Sequence, residues 1–63
     1  MIYRVAIVSK LGNIFSLNAE KRGDIDDYLL KIDAEEGLKA YRIINKDTGE
    51  TLETQDGVKK KEN

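Results

Sequence analysis

Cysteine and histidine are both absent from this 63-residue chain. Without cysteine no disulfide can form, and without histidine the common zinc sites and the Ser-His and Cys-His nucleophile pairs cannot be built. Candidate acid–base groups are therefore reduced to carboxylates, lysines and tyrosines. The glycine-rich phosphate-binding motifs G-x-x-x-x-G-K-[ST] and G-x-G-x-x-G are missing as well. We accordingly expect a protein that is not an enzyme and that binds no cofactor or metal.

Long apolar runs are also missing. No run can span a bilayer, because Arg4 interrupts the first apolar segment, and the N-terminus lacks the layout of a signal peptide. We therefore expect a cytoplasmic protein with no membrane association. A single domain of this size buries only about 60% of its unfolded surface, and small domains often need a disulfide, a metal or a partner chain. Of these three means of stabilisation, a partner chain remains possible, although the sequence is also compatible with a well-packed monomer.

Charge is nearly balanced overall but is unevenly distributed. The net charge is −1, which argues against a polycationic nucleic-acid binder. Residues 1–22 contain four basic residues and one acidic residue, whereas residues 23–36 contain one basic and six acidic residues. The predicted helix is therefore acidic, and the strand region before it is basic.

Residues 23–37 carry the periodicity of an amphipathic helix, and we predict that they form the chain's only helix. Asp24 is the predicted N-cap residue, because its side chain can accept a hydrogen bond from a free backbone N–H group. Gly37 is predicted to end the helix, since glycine adopts the left-handed conformation without strain. The apolar positions follow the spacing i, i+3, i+4 and i+7, at Ile25, Tyr28, Leu29 and Ile32.

Strands are predicted on both sides of this helix. Segments rich in β-branched, aromatic or alternating apolar residues lie at 2–9, 14–18, 38–45 and 50–55. Glycine-containing turn signals at 11–13 and 46–49 join them into two hairpins. We predict an α+β domain over residues 1–56 and a flexible, lysine-rich C-terminal tail over residues 57–63.

The order ββαββ limits the sheet topology. A right-handed crossover through the helix gives a four-stranded antiparallel sheet in the order 2-1-3-4, with the helix on one face. This order places the two most apolar strands in the centre and the two polar strands at the edges. The order 2-1-4-3 is the main rival. The predicted core combines the helix stripe with Tyr3, Val5, Ile7, Phe15 and Leu17.

One helix covers only one face of such a sheet, so the other face should be open. The first strand turns Ile2, Arg4, Ala6 and Val8 to that face. The third strand adds either Ala40, Arg42 and Ile44 or Lys39, Tyr41 and Ile43, and the pairing register decides between them. Because exposed apolar patches often mark interfaces, we hypothesise that a second copy or another protein covers this face. The predicted interface residues are Ile2, Arg4, Ala6, Val8, Ala40, Arg42 and Ile44. A monomer with scattered exposed apolar residues is the plain alternative.

Nucleic-acid binding is the competing hypothesis for the same face. Arginine and lysine side chains would contact phosphates, and Tyr41 or Tyr3 would supply a stacking ring. Lysines 59–61 would add phosphate contacts. The near-neutral charge and an aromatic content of 6% argue against this reading. The residues that it requires are Arg4, Lys10, Lys39, Tyr41 and Arg42.

The acidic helix leaves two further possibilities open. Asp24, Asp26 and Asp27 could hold Mg²⁺, but acidic residues at a helix N-terminus are more simply explained by capping and by the helix dipole. The outward acidic residues could dock a basic protein surface, or they could form an ordinary solvent-facing helix side. These residues are Asp26, Asp33, Glu35 and Glu36.

Overall fold

A computed structural model describes residues 1–55 as a four-stranded sheet with one helix. The elements in chain order are β1 (Tyr3–Ser9), β2 (Ile14–Ala19), α1 (Arg22–Glu35), β3 (Leu38–Asn45) and β4 (Thr51–Gln55). All neighbouring strands are antiparallel, in the order β2-β1-β3-β4. The predicted ββαββ architecture is confirmed, and the rival order 2-1-4-3 is excluded. The predicted tail, residues 57–63, and the last residue of the predicted domain lie outside the described residues.

The core lies between α1 and one face of the two central strands. Its fully buried side chains come from β1, β3 and the predicted helix stripe. Half-buried Tyr3, Phe15, Leu17 and Tyr28 pack around them, which confirms the predicted core set. Full burial of one such aliphatic side chain contributes about 1.5–3 kcal/mol. The buried apolar residues are Val5, Ile7, Ile25, Leu29, Ile32 and Ile43.

The start of α1 differs from the prediction. The N-cap residue is Lys21, whose backbone is extended and whose side chain makes no capping hydrogen bond. The prediction that Asp24 is the N-cap was therefore wrong. Arg22 begins the helix, and its Nε lies 3.1 Å from Oδ1 of Asp26 one turn later. This ion pair stabilises the helical turn that contains Arg22 and Gly23, the two residues before Asp24. Asp24 lies in the first turn, where its charge still suits the helix dipole.

The end of α1 follows the prediction. Gly37 has a φ of +83°, and its N–H donates to the carbonyl oxygens of Ile32 and Asp33, at 3.1 Å in each case. The next N–H, of Leu38, donates to the Asp33 carboxylate at 2.9 Å. Lys10 N–H donates to the Gly37 carbonyl at 2.9 Å. The connection from β1 to β2 is thus fastened to the end of the helix.

Candidate interaction surface

Pairing between β1 and β3 decides which residues share the open side of the sheet. Arg4 pairs with Ile44, Ala6 with Arg42 and Val8 with Ala40. Because alternate residues of a strand point to the same face, Ala40, Arg42 and Ile44 lie on the same side as Arg4, Ala6 and Val8. The register therefore selects the first of the two sets that the sequence leaves open.

Pairing with the edge strands completes what we call the open face. Arg4, Ala6 and Val8 pair with Asn18, Ser16 and Ile14 of β2. Arg42 and Ile44 pair with Thr54 and Thr51 of β4, and a register shift between Ile43 and Ile44 lets both threonines share this face. The core side chains of β1 and β3 point to the other side, toward α1. The open face consists of Arg4, Ala6, Val8, Ile14, Ser16, Asn18, Ala40, Arg42, Ile44, Thr51 and Thr54.

Apolar residues occupy one end of the open face. Ile14, Val8 and Ala40 form a row across β2, β1 and β3, and Ala6 lies next to this row. Ile14 is 77% exposed, which is the largest value for any bulky apolar side chain among residues 1–55. Shallow hollows open over Ala6 and Ala40, where short side chains lie beside longer ones. Such a stepped apolar surface can receive protruding side chains of a partner.

Positive charge lies in the other two rows of the open face, at Arg42 beside Ala6 and at Arg4 beside Ile44. Arg4 and Arg42 are both exposed, and they are diagonal neighbours on β1 and β3. Both salt bridges within residues 1–55 are made by Arg22, on the helix side of the sheet. Every acidic residue in that range lies in α1, in a connection or, as Glu53, on the helix side of β4. The open face therefore carries two guanidinium groups and no described carboxylate.

The residues required for nucleic-acid binding are not brought together. Tyr41 pairs with Ile7 on the helix-covered side, and its hydroxyl donates a hydrogen bond to Glu53. Tyr3 also packs against the core. The expectation that a tyrosine would share the open face with the arginines is therefore corrected, because the register turns both rings to the other side.

The remaining predicted residues lie at the margins of this surface. Lys10 lies in the connection between β1 and β2, beside Gly37. Lys39 lies at a register irregularity, since Val8 pairs with Ala40 but Ser9 pairs with Leu38. Ile2 precedes β1, and its carbonyl accepts a hydrogen bond from the Lys46 N–H at 2.8 Å.

A polar cluster on the helix side, formed by Arg22, Asp26, Tyr41 and Glu53, was not foreseen. Arg22 Nη2 lies 2.7 Å from Glu53 Oε1. The other Glu53 oxygen accepts the Tyr41 hydroxyl. This hydrogen bond, followed by that from Arg22, lowers the pKa of Glu53 below its ordinary value. The same bond raises the pKa of Tyr41, and the Glu53 contact raises the pKa of Arg22. No local sequence signal connects positions 22, 41 and 53.

The acidic start of α1 has a structural role in this cluster. Asp26 is engaged by Arg22, and Asp24 and Asp27 are exposed. No group of three or more acidic side chains is arranged to hold a metal ion within residues 1–55. No helix in this part of the chain is long and apolar enough to cross a membrane.

Comparison with protein-family models, with curated proteins and with solved structures found no match to this chain. Any functional inference therefore rests on the geometry and chemistry of the open face.

Proposed function

We propose that this protein is a small, non-enzymatic interaction or regulatory module of the cytoplasm that homodimerises through its open face. The observation that supports this most directly is the β1–β3 register. It gathers Ala6, Val8, Ala40 and Ile44 on the sheet face opposite α1, next to the exposed Ile14. Apolar surface of this kind gains free energy when a partner removes it from water.

A second copy fits this face because the face is complementary to itself. Consider a two-fold axis parallel to the strands, between two stacked sheets and between β1 and β3. Each open-face residue of β1 then meets the copy of its partner on β3, and each one of β3 meets the copy of its partner on β1. Arg42 meets Ala6, Arg4 meets Ile44, and Val8 meets Ala40. Long side chains are thereby set against short or apolar ones, and no arginine directly faces its own copy.

The size of the face sets the expected strength of the dimer. Four strands about 4.8 Å apart and three rows of side chains about 6.7 Å apart project to roughly 400 Å² per copy. Stable interfaces bury about 800 Å² of accessible surface per partner, and weak ones bury less. We therefore expect a weak dimer, with a dissociation constant in the micromolar range or weaker.

The test is molecular mass as a function of concentration. Sedimentation equilibrium from about 10 µM to about 1 mM should show mass rising from 7.1 kDa toward twice that value, at low and at high salt. Val8→Lys should raise the dissociation constant at least about tenfold, because it removes apolar contact and adds charge to an already cationic interface. A mass that stays monomeric across the whole range would contradict the proposal.

Leu30→Lys is the matched control for Val8→Lys. Leu30 is 68% exposed on α1, on the other side of the sheet, and the substitution adds the same charge. It should leave the dissociation constant unchanged. Equal weakening by both variants would instead indicate a general charge effect or an interface that includes the helix.

The alternative proposal is nucleic-acid binding by the same face, supported by Arg4 and Arg42 as phosphate contacts. Titration of single- and double-stranded oligonucleotides at low salt tests it. Under this alternative Arg4→Glu abolishes binding, whereas Val8→Lys leaves it intact or strengthens it. Val8→Lys thus affects the two proposals in opposite directions. Absence of binding at low salt would eliminate the alternative, because added salt only weakens phosphate contacts.

A further inference from the structure

The open face combines apolar self-complementarity with positive charge that nothing nearby neutralises. Arg4 and Arg42 lie on adjacent strands and in adjacent rows of side chains. In the two-fold arrangement described above, the second copy places its own Arg4 over Ile44 and its own Arg42 over Ala6. The backbone positions of the four arginines then form a rectangle about 5 Å by 7 Å in projection, set by the strand and row spacings.

These four charges have no compensating charge on the described part of the open face. As a residue type, arginine is a permanent cation under physiological conditions. The described part of the open face offers no carboxylate, since the acidic residues lie in α1, in the connections and on the helix side of β4. Closing two such faces against each other brings four positive charges together, and an anion from solution would offset their repulsion.

We propose that the dimer binds a multivalent oxyanion of the phosphate class between Arg4 and Arg42 of both copies, and that this anion drives dimerisation. The inference rests on the proposed homodimer and specifies its ligand. A planar guanidinium group donates two parallel N–H bonds to phosphate oxygens, and one phosphate or pyrophosphate has enough oxygens to accept from groups on both copies. Chloride carries a single charge and has no pair of oxygens for a bidentate contact, so it should hold the guanidinium groups together less strongly.

Thermodynamic linkage between anion binding and dimerisation gives the expected change in the dissociation constant of the dimer. An anion that binds the dimer but not the monomer tightens dimerisation in proportion to its concentration, once that concentration exceeds its own dissociation constant. If one anion is taken up per dimer, the dissociation constant of the dimer falls about tenfold for each tenfold rise in anion concentration. Ordinary screening by salt would depend on ionic strength alone and not on the identity of the anion.

The experiment measures the dimer dissociation constant by sedimentation equilibrium in chloride, in inorganic phosphate and in pyrophosphate, at matched ionic strength and pH. We expect tighter dimerisation in phosphate than in chloride, and tighter still in pyrophosphate, with about tenfold tightening per tenfold rise in anion. A dimer that forms equally well in all three anions would overturn the anion inference and leave the homodimer proposal standing. A monomer in all three would overturn both.

Comparison of Arg42→Gln with Lys31→Gln shows whether the response to phosphate depends on a specific anion site or only on overall charge. Both substitutions remove one positive charge, but Arg42 lies on the open face and Lys31 lies on α1. Arg42→Gln should lose the tightening of the dimer by phosphate relative to its own dissociation constant in chloride, because one of the two anion-binding guanidinium groups of each copy is gone. Lys31→Gln should keep that response. An unchanged phosphate response in Arg42→Gln would overturn the inference.

A short oligonucleotide tests whether the arginines bind the phosphate groups of a nucleic acid instead of a small anion. Added to the same samples, it should not convert dimers into monomer–oligonucleotide complexes if the site is shaped for a small anion between two copies. Formation of one-to-one complexes with loss of the dimer would overturn the inference in favour of direct nucleic-acid binding.

Discussion

Tyr41 on β3 donates a hydrogen bond from its hydroxyl to the carboxylate of Glu53 on the neighbouring strand β4. The same carboxylate pairs with Arg22, the first residue of α1, so three elements meet at one acidic side chain. β4 contains no buried residue, and its side chains are mostly polar. Its attachment therefore depends on backbone pairing with β3 and on this polar cluster rather than on apolar burial.

Removing the tyrosine hydroxyl tests how much this contact contributes. We expect Tyr41→Phe to lower the free energy of unfolding by about 1 kcal/mol, because a hydrogen bond to a carboxylate is lost while the ring packing is kept. Urea unfolding followed by circular dichroism measures the change. A double-mutant cycle with Glu53→Ala, which removes the acceptor, should show that the two effects are not additive, since both substitutions remove the same contact. Additive effects would mean that the hydroxyl and the carboxylate act independently.

The lowered pKa of Glu53 makes a prediction about acid stability. Its pKa in the folded protein lies below the ordinary value of 4.5, so between these two pKa values the unfolded chain binds more protons than the folded one. The contribution of Glu53 is thus present above pH 4.5 and is lost as the pH falls through the folded-state pKa. Glu53→Gln should therefore reduce the difference in unfolding free energy between pH 6 and pH 3.

Glu50→Gln is the matched control for this pH experiment. The Glu50 carboxylate makes no hydrogen bond or ion pair within the part of the chain that the structure describes. Its substitution should leave the pH dependence of unfolding close to that of the unmodified protein. An identical effect of both variants would show that the pH dependence reflects overall charge rather than the contact with Tyr41 and Arg22.

Local sequence signals were sufficient for most of the fold. Alternating apolar residues located the four strands, the bounds of β3 agree at both ends, and three glycines predicted in turns or at the helix end have positive φ. The helix start was not predicted because Arg22, besides its local pair with Asp26, is held by Glu53, a residue distant in the chain that no spacing rule connects to it. Asp24 has the chemistry of an N-cap residue, but tertiary contacts outweighed that preference.

The composition of the open face could not be predicted from the sequence for a different reason. Both candidate sets on β3 contain a basic residue and an isoleucine, so hydrophobicity could not choose between Arg42 with Ile44 and Lys39 with Ile43. Only the pairing with β1 decides, and register depends on how whole strands fit together. The predicted arginine and isoleucine proved to share the face, whereas the predicted tyrosine did not.

Gly23 and Gly37, which lie near opposite ends of α1, should respond oppositely to alanine. Gly37 has a φ of +83°, where an alanine costs about 1–2 kcal/mol, and a Cβ atom there would lie 2.8 Å from the Lys10 side chain. Gly23 lies in the first turn of α1 with open space around it, so Gly23→Ala should stabilise the protein by about 0.5 kcal/mol. Thermal unfolding of the two variants measures both shifts. Stabilisation by Gly37→Ala would contradict the proposed role of that residue in ending the helix.

Ile43 and Ile44 are adjacent on β3 but serve opposite faces of the sheet, and the same substitution at each should therefore affect different properties. Ile43 is fully buried in the core, so Ile43→Val should lower the free energy of unfolding by about 1 kcal/mol through the loss of one methyl group. Ile44 is only partly buried and lies on the open face, so Ile44→Val should change the stability of the monomer little.

The dimer should show the reverse order, because Ile44 contacts the second copy in the proposed arrangement and Ile43 does not. We expect Ile44→Val to weaken dimerisation and Ile43→Val to leave the dimer dissociation constant unchanged wherever the protein is folded. Unfolding should be followed at a concentration low enough to keep the protein monomeric, and dimerisation by sedimentation equilibrium well below the melting temperature. If Ile44→Val leaves the dimer intact and Ile43→Val weakens it, the interface does not lie on the open face.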